Sequence, residues 1–352
     1  MSEASTSWPE VYTRLLRRED LSSADAAWAM GQIFAGEATD VQVAGFLVAL
    51  RAKGESVAEM RGLADVMLEH ATRISAPEPS LDVVGTGGDR AHTVNISTTA
   101  AIVCAAAGVP VVKHGNRAAS SSSGSADVLE ALGIDLSLPP SRVEQVVHEA
   151  GITFCFAQLF HPSMRHAAVA RRELGVGTPL NFLGPLTNPG QPTYAAVGVA
   201  DARMAPVLAG VFAGRGRDAA VFRGDDGLDE LTLATTSSVW WVRGGVVTEH
   251  TLDPTRLGLA RVPTEALRGG EAAYNAEVMR QVFAGITGPV RDAVVLNAGA
   301  ALAVTAGGPS DPSTDEVHEA VGAGMRRAEQ AIDSGAAAEV VERWVGATRV
   351  TG

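Results

Sequence analysis

Two prolines within six residues, Ser75-Ala-Pro-Glu-Pro-Ser80, separate a chain that reads one way before them and another way after. A proline inside a helix removes a backbone donor and clashes with the preceding turn, so no helix runs through this stretch and it marks a boundary. Upstream, residues 8–74 read as a run of short helices. Ser23 is placed to cap a segment whose Trp28, Met30, Ile33 and Phe34 form an apolar stripe, and Thr39 to cap one carrying Val43, Phe46, Leu47 and Leu50 at helical spacing. Ser56-Val-Ala-Glu59 is a capping box, in which each side chain satisfies a free backbone N–H of the other's turn, ahead of Met60, Leu63, Val66 and Met67.

Downstream the texture alternates. Leu81-Asp-Val-Val84 is a short β-branched run ending in glycines, residues 100–107 form a small-residue helix, and Val109-Pro-Val-Val112 is strand-like. A further helix over 126–132 is followed by Gly133 at its C′ position. Residues 219–222 and 238–242 are strand-like, and 314–345 read as helical. Strand and helix in alternation predict βαβ units around a parallel sheet. The expected architecture is therefore α/β: a small all-helical N-terminal domain, residues 1–76, and a larger α/β domain, residues 77–352, with a mostly parallel central sheet. A length of 352 residues suits two domains at about 150 residues each.

Composition excludes several classes of function. Apolar residues make up 46% and charged residues 19%, with no apolar run long enough for a membrane span, so a soluble globular protein is expected. Forty acidic against 28 basic side chains give a net charge of −12, which repels polyanions and argues against nucleic acid as a main partner. Cys104 and Cys155 lie in apolar surroundings without a CxxC, which suits a reducing compartment. The N-terminus, MSEASTSWPEVYTRLL, is acidic and polar where a secretory signal is basic and then apolar, so the expected location is the cytoplasm.

Ligands of open parallel sheets lie beyond the carboxyl ends of the strands, which directs attention to the loops after Val84 and Val112. The first reads Gly85-Thr-Gly-Gly-Asp89 and continues through Thr93-Val-Asn95-Ile96-Ser97-Thr98 into a helix. Glycines let consecutive N–H groups converge, and a helix N-terminus adds free N–H groups and partial positive charge, so the loop reads as an anion cradle. It is neither a dinucleotide fingerprint, because Arg90 stands where a glycine is required, nor a Walker A loop. An ordinary glycine turn with helix-capping side chains is the plainer alternative.

The second loop, Lys113-His-Gly-Asn-Arg117-Ala-Ala-Ser-Ser121-Ser-Ser-Gly-Ser125, concentrates two permanent positive charges, an amide and several hydroxyls, with Ser125 placed to cap the next helix. Lys113 and Arg117 suit phosphate oxygens. A flexible serine-rich linker would explain the serines but not their place between a strand and a helix. Two cradles on neighbouring strand ends suggest a substrate with two phosphate groups.

A third motif, Arg223-Gly-Asp-Asp-Gly-Leu-Asp229-Glu230, sets four carboxylates within six positions. Such groups repel unless a cation bridges them, and hard oxygens suit Mg²⁺ shared with substrate phosphates; a solvated acidic loop is the alternative. Arg171, near the end of a short helix, either pairs with terminal carbonyls or offers a planar fork to a carboxylate.

Gly85-Thr-Gly-Gly-Asp89, Asn95-Ile-Ser-Thr98, Lys113-His-Gly-Asn-Arg-Ala-Ala-Ser120, Gly184-Pro-Leu-Thr-Asn-Pro189 and Asp226-Gly-Leu-Asp-Glu230, in this order behind a helical segment, resemble the anthranilate phosphoribosyltransferases along nearly the whole chain. The resemblance implies a homodimer, a segment near 172–190 that returns to the helical domain, and a hinge cleft between domains. It implies displacement of Mg-pyrophosphate from phosphoribosyl pyrophosphate (PRPP) by the amine of anthranilate, a step of tryptophan biosynthesis. The family's PRPP contacts fall on Gly85, Gly88, Asp89, Thr93, Asn95, Ile96, Ser97, Thr98, Lys113, His114, Gly115, Asn116, Arg117, Ala118, Ala119, Ser120, Ser121 and Ser125. Its Mg²⁺ ligands fall on Ser97, Asp229 and Glu230, and its anthranilate contacts on Gly85, Asn116 and Arg171, with His161 and Gly184 as outer contacts on the access path. No acid or base residue is assigned. The chain departs from the pattern at Gly177-Thr-Pro-Leu180, where many relatives have Arg-Thr followed shortly by Phe, which bears on how tightly the returning segment packs. Two rival readings are a pyrimidine nucleoside phosphorylase, which shares the architecture but needs a nucleobase site, and a nucleic-acid-binding family member, which the acidity disfavours.

Overall fold

The computed structural model describes residues 6–117 and 122–349. Four helices open the chain: α1 (Trp8–Leu16), α2 (Ser23–Phe34), α3 (Asp40–Lys53) and α4 (Val57–Glu69). Three begin with reciprocal capping boxes. Those of Thr39 with Gln42 and Ser56 with Glu59 sit where the sequence places caps, whereas α2 is capped by Ser22 with Asp25, and Ser23 is already its first helical residue.

After the proline break come β1 (Leu81–Gly85), α5 (Ile96–Ala106), β2 (Val111–Gly115), α6 (Ser125–Ala131), α7 (Pro140–Ala150) and β3 (Ile152–Phe156). Short helices α8 (Ala157–Phe160) and α9 (Ala168–Leu174) lead through single 3-10 turns to β4 (Tyr194–Gly198), α10 (Met204–Gly214), β5 (Asp218–Gly224), β6 (Ser237–Arg243) and β7 (Val246–Leu252). Helices α11 (Ala272–Phe283), α12 (Pro289–Thr305), α13 (Thr314–Asp333) and α14 (Ala336–Thr348) complete the chain. The helical stretch expected over 314–345 is thus two helices, broken at Ser334 and Gly335, whose φ of +84° lies in the left-handed region that glycine tolerates.

The strands form one seven-stranded sheet in the order β3-β2-β1-β4-β5-β6-β7. The first five run parallel, and β6 and β7 extend the edge as antiparallel strands, joined by the Gly244-Gly245 turn at positive φ. Alternation along each strand divides the interior. Ala195 and Val197 of β4 and Ala219 and Val221 of β5 face a core made with α1–α4 and α10, while Ala196, Ala220 and Phe222 face the other core, with α5 and α12.

Leu180, Phe182, Leu183 and Leu186 of the returning segment are buried in the core that α1–α4 share. The Gly177–Leu180 departure therefore leaves it packed: Thr178 and Asn181 form their own capping box, and the Arg51 guanidinium lies 5.1 Å from the centre of the Phe182 ring. Among the described residues no helix is long and apolar enough to cross a membrane.

Candidate active site

The carboxyl ends of β1, β2, β4 and β5 meet around the glycine loop. Gly87 and Gly88 hold left-handed φ values of +68° and +92°, and Arg90 and His92 follow at +59° and +53°, an unusual state for side-chain-bearing residues that persists only where surroundings impose it. Asn95 occupies the N-cap position of α5 without capping it. Its Nδ2 donates to Ser123 O at 3.0 Å, and its Oδ1 accepts from Asn275 Nδ2 at 2.9 Å, so the amide ties the first loop to the second and to α11. Thr98 Oγ1 donates to Ser125 Oγ at 2.9 Å, a second tie between the loops. Ser125 itself is the first residue of α6, and Gly124 holds the N-cap position expected for it.

The acidic motif divides by partner. Asp225 accepts from Thr236 and Ser238, and Asp226 from Thr232 and Thr264, so hydroxyl donors meet these two carboxylates. Asp229 and Glu230 turn to the cradle. Gly87 N–H donates to Asp229 Oδ2 at 2.7 Å, and Ser97 N–H donates to Glu230 Oε1 at 3.1 Å. Burial, and then the nearby Asp89 carboxylate, push Asp229 up to about 7; burial and then Asp229 push Glu230 well above the carboxylate range. These are two buried carboxylates held close, and the nearby Lys113 charge only partly opposes the rise of Glu230. Their hard oxygens suit Mg²⁺, and Ser97, whose N–H meets Glu230, brings a hydroxyl to the same turn. Among the described residues no group of three or more His, Cys, Asp or Glu side chains is placed to hold a metal, so such an ion would take its remaining ligands from elsewhere.

Of the basic residues, Lys113 is 1% exposed and donates its Nζ to Val83 O; burial lowers its basicity, opposed by Asp82, Glu230 and Asp229. Arg117 is not brought into the cradle. Its fork binds Glu130 at 2.6 and 2.8 Å and Asp127 at 2.9 Å, and lies over the Phe156 ring. Sequence spacing does not reveal this engagement, because the acids that take the charge up lie ten and thirteen residues away, on α6. Ala118, Ala119, Ser120 and Ser121 lie outside the described residues.

Two buried histidines pack together beside the returning segment. His114 Nδ1 pairs with Gly184 O at 2.8 Å, and the His114 and His161 ring centres lie 5.0 Å apart. Burial lowers them to about 4 and about 3, so both rings are neutral near pH 7. Arg171 stands on α9, which packs on α3; among the described residues its guanidinium has no hydrogen-bond or ion-pair partner, and burial lowers its basicity. The terminal-carbonyl alternative for this side chain is not what the structure shows. A half-buried, unpaired fork suits a ligand carboxylate.

Sequence reading passed over two supports. A Cβ on Gly198, at the end of β4, would lie 1.7 Å from Asp229 O, so only glycine lets the acidic loop cross there. The segment before α11 clamps the cradle: Thr93 bridges Arg268, Val94 N–H donates to Leu267 O, and a Cβ on Gly269 would lie 2.7 Å from Thr93 O. The only signals were a Val-Gly strand end and a Gly-Gly pair, both common.

The description "glycosyl transferase family, a/b domain" matches residues 77–338, and "glycosyl transferase family, helical bundle domain" matches residues 9–71. The chain is 62% identical to the anthranilate phosphoribosyltransferase of a Nocardioides species, over 97% of this chain and 99% of that one, and 58% identical to that of Streptomyces griseus, over 99% and 97%. Among solved structures it resembles anthranilate phosphoribosyltransferase from Thermus thermophilus (TM-score 0.88, 41% identity, 97% and 99% covered). It also resembles the Saccharomyces cerevisiae enzyme in complex with PRPP and Mg (TM-score 0.86, 27% identity, 99% and 98% covered).

Proposed function

The chain belongs to the glycosyl transferase family in its anthranilate phosphoribosyltransferase branch, and from that premise we infer how its cleft works. It transfers the phosphoribosyl group of PRPP to the amine of anthranilate, giving N-(5-phosphoribosyl)anthranilate and pyrophosphate. The observation that supports this site for the reaction is the pair of bonds from Gly87 and Ser97 N–H to Asp229 and Glu230, which joins the acidic loop to the anion cradle.

The PRPP site comprises the glycine loop from Gly85 to Thr98 and the basic loop from Lys113 to Ser125. Asp229, Glu230 and Ser97 would hold Mg²⁺, which supplies positive charge against the departing pyrophosphate. Breaking the C1–O bond leaves positive charge on the ribose and the electron pair on pyrophosphate. Backbone N–H groups of the cradle and the buried Lys113 charge stabilise that separation, and the cleft holds the amine in line with C1. The aniline-like nitrogen attacks as the neutral amine, so the chain needs no general base before bond formation; the proton the nitrogen sheds afterwards goes to the departed pyrophosphate or to water, and the neutral His114 and His161 rings border the acceptor rather than deprotonate it. Arg171 binds the anthranilate carboxylate, with Gly85 and Asn116 beside it.

A homodimer is part of the same proposal. Leu16 on α1 and Val41 and Val48 on α3 are exposed apolar side chains on packed helices, which supports an interface there.

Loss of anthranilate fluorescence in the presence of PRPP and Mg²⁺ measures the activity. Arg171→Ala is expected to raise the anthranilate KM by about tenfold or more while the PRPP KM stays within about twofold, the signature of a lost charge-assisted fork. An unchanged anthranilate KM would remove Arg171 from the acceptor site.

A further inference from the structure

The two cradle loops stand on strands that stop pairing with each other below them. β1 keeps five paired residues with β4, and β2 five with β3, yet between β1 and β2 the ladder holds only Leu81 opposite Val111. In a regular parallel ladder the next rung would set Val83 opposite Lys113, joining Val83 N–H to Val112 O and His114 N–H to Val83 O. Three of those backbone groups meet side chains instead. Asn188 Nδ2 donates to Val112 O at 2.7 Å, His114 N–H donates to Asp82 Oδ1 at 3.2 Å, and Lys113 Nζ donates to Val83 O. The inserted groups also bind one another: Asn188 Nδ2 reaches Asp82 Oδ2 at 2.8 Å, and Gly190 N–H donates to Asn188 Oδ1 at 2.9 Å.

Asp82, Lys113 and Asn188 are 1%, 1% and 5% exposed. Burying a carboxylate, an ammonium and an amide inside a sheet carries a desolvation penalty that a plain backbone ladder avoids. Stability alone would favour closing the ladder, so the opening points to a use. It lies at the base of the glycine loop and the basic loop, which begin at the ends of β1 and β2.

We propose that Asp82 and Asn188 are positioning residues that wedge β1 and β2 apart, so that the glycine loop and the basic loop are spaced for the two phosphate groups of one substrate. Neither residue touches that substrate. Asp82 acts through the His114 N–H and beside the Lys113 charge, and Asn188 carries the Gly184–Pro189 motif onto the sheet, where Gly184 O also meets His114. This proposal rests on the PRPP reading of the site.

Two variants test it from opposite ends. Asp82→Asn keeps the size but turns a donor toward Asn188 Nδ2 or His114 N–H, and Asn188→Ala removes the donor to Val112 O. In each, the PRPP KM is expected to rise about tenfold while the anthranilate KM stays within about twofold, as loss of a buried charge-assisted bond that spaces only one ligand implies. Protection against thermal unfolding by PRPP and Mg²⁺, measured without anthranilate, should shrink in parallel. Wild type is assayed alongside: its failure to consume anthranilate would sink the functional reading itself. Active wild type with unshifted PRPP KM in a folded variant overturns only the wedge. Equal losses toward both substrates, or failure of both variants to fold, also overturn it, because the pair then serves folding alone.

Discussion

At Gly198 the main chain of Asp229 passes where any side chain would begin. The obstructing atoms are a backbone carbonyl oxygen and carbon, at 1.7 and 2.5 Å from an added Cβ, so no rotamer change relieves the contact. An alanine there must push the Asp229-Glu230 loop away from Gly87 and Ser97. Gly198→Ala is expected to lower kcat/KM by about 100-fold, the scale on which displacements near 1 Å act on reacting groups. Circular dichroism should still show a folded chain; a folded variant with activity within about threefold of wild type would show that the crossing is not critical. This residue also shows what a sequence conceals. The acids at 229 and 230 stand out by their charge, but a glycine needed because another segment crosses it looks like any other glycine. Arg117 misleads in the opposite direction: its charge is plain in the sequence, and its engagement by Asp127 and Glu130 depends on where α6 begins.

Among the elements, α4 shows how a local signal acquires a long-range role. Ser56 and Glu59 form the cap the sequence spells out, but Glu59 is fully buried and also accepts from Leu21 N–H at 2.9 Å and Lys53 Nζ at 2.8 Å. One carboxylate thus fastens the start of α4 to the end of α3 and to the turn before α2. Removing it takes from the Lys53 ammonium, 3% exposed in its side chain, one of its two carboxylate partners, with Asp20 remaining, and leaves the buried Leu21 N–H unmet, so Glu59→Ala is expected to cost about 2–3 kcal/mol. Ser22→Ala, which removes only a surface cap, should cost about 1 kcal/mol. Denaturant midpoints compare the two, and equal losses would reduce Glu59 to an ordinary cap. The caps, the proline break and the strand-to-glycine loops were legible because each rests on contacts within a few residues. Strands β3, β4 and β7 were not recognised: Ile152–Phe156 and Tyr194–Gly198 are five-residue runs without alternation, and Val246–Leu252 mixes exposed and buried positions at the sheet edge. Their identity comes from partners far along the chain.

Across the whole molecule, the helical unit meets the strand ends through Arg51. Its guanidinium, on α3, pairs with Asp201 in the loop after β4, with both Glu55 oxygens at 3.2 Å, and with the Phe182 face on the returning segment. The Asp201 loop also reaches the cradle, since Ala200 N–H donates to Thr86 Oγ1 at 3.3 Å. Arg51 therefore ties the helical unit, with the α9 that carries Arg171, to the loop after β4, which in turn reaches the glycine loop. The ion pair is partly exposed, at 24% and 23% for the two side chains, so its coupling is expected to be about 1 kcal/mol, or about fivefold in kcat/KM. Asp201→Ala should lower kcat/KM for anthranilate by about that factor and Arg51→Ala by at least as much, and the double variant should be no worse than Arg51→Ala alone, because that change already removes the Asp201 pair. Losses that multiply in the double variant would mean that Arg51 and Asp201 act separately, and the alignment of the proposed acceptor and phosphate sites would then rest on other links, such as the packing of Leu180, Phe182 and Leu183 and the Arg215 bonds to Asp65 and Leu186 O.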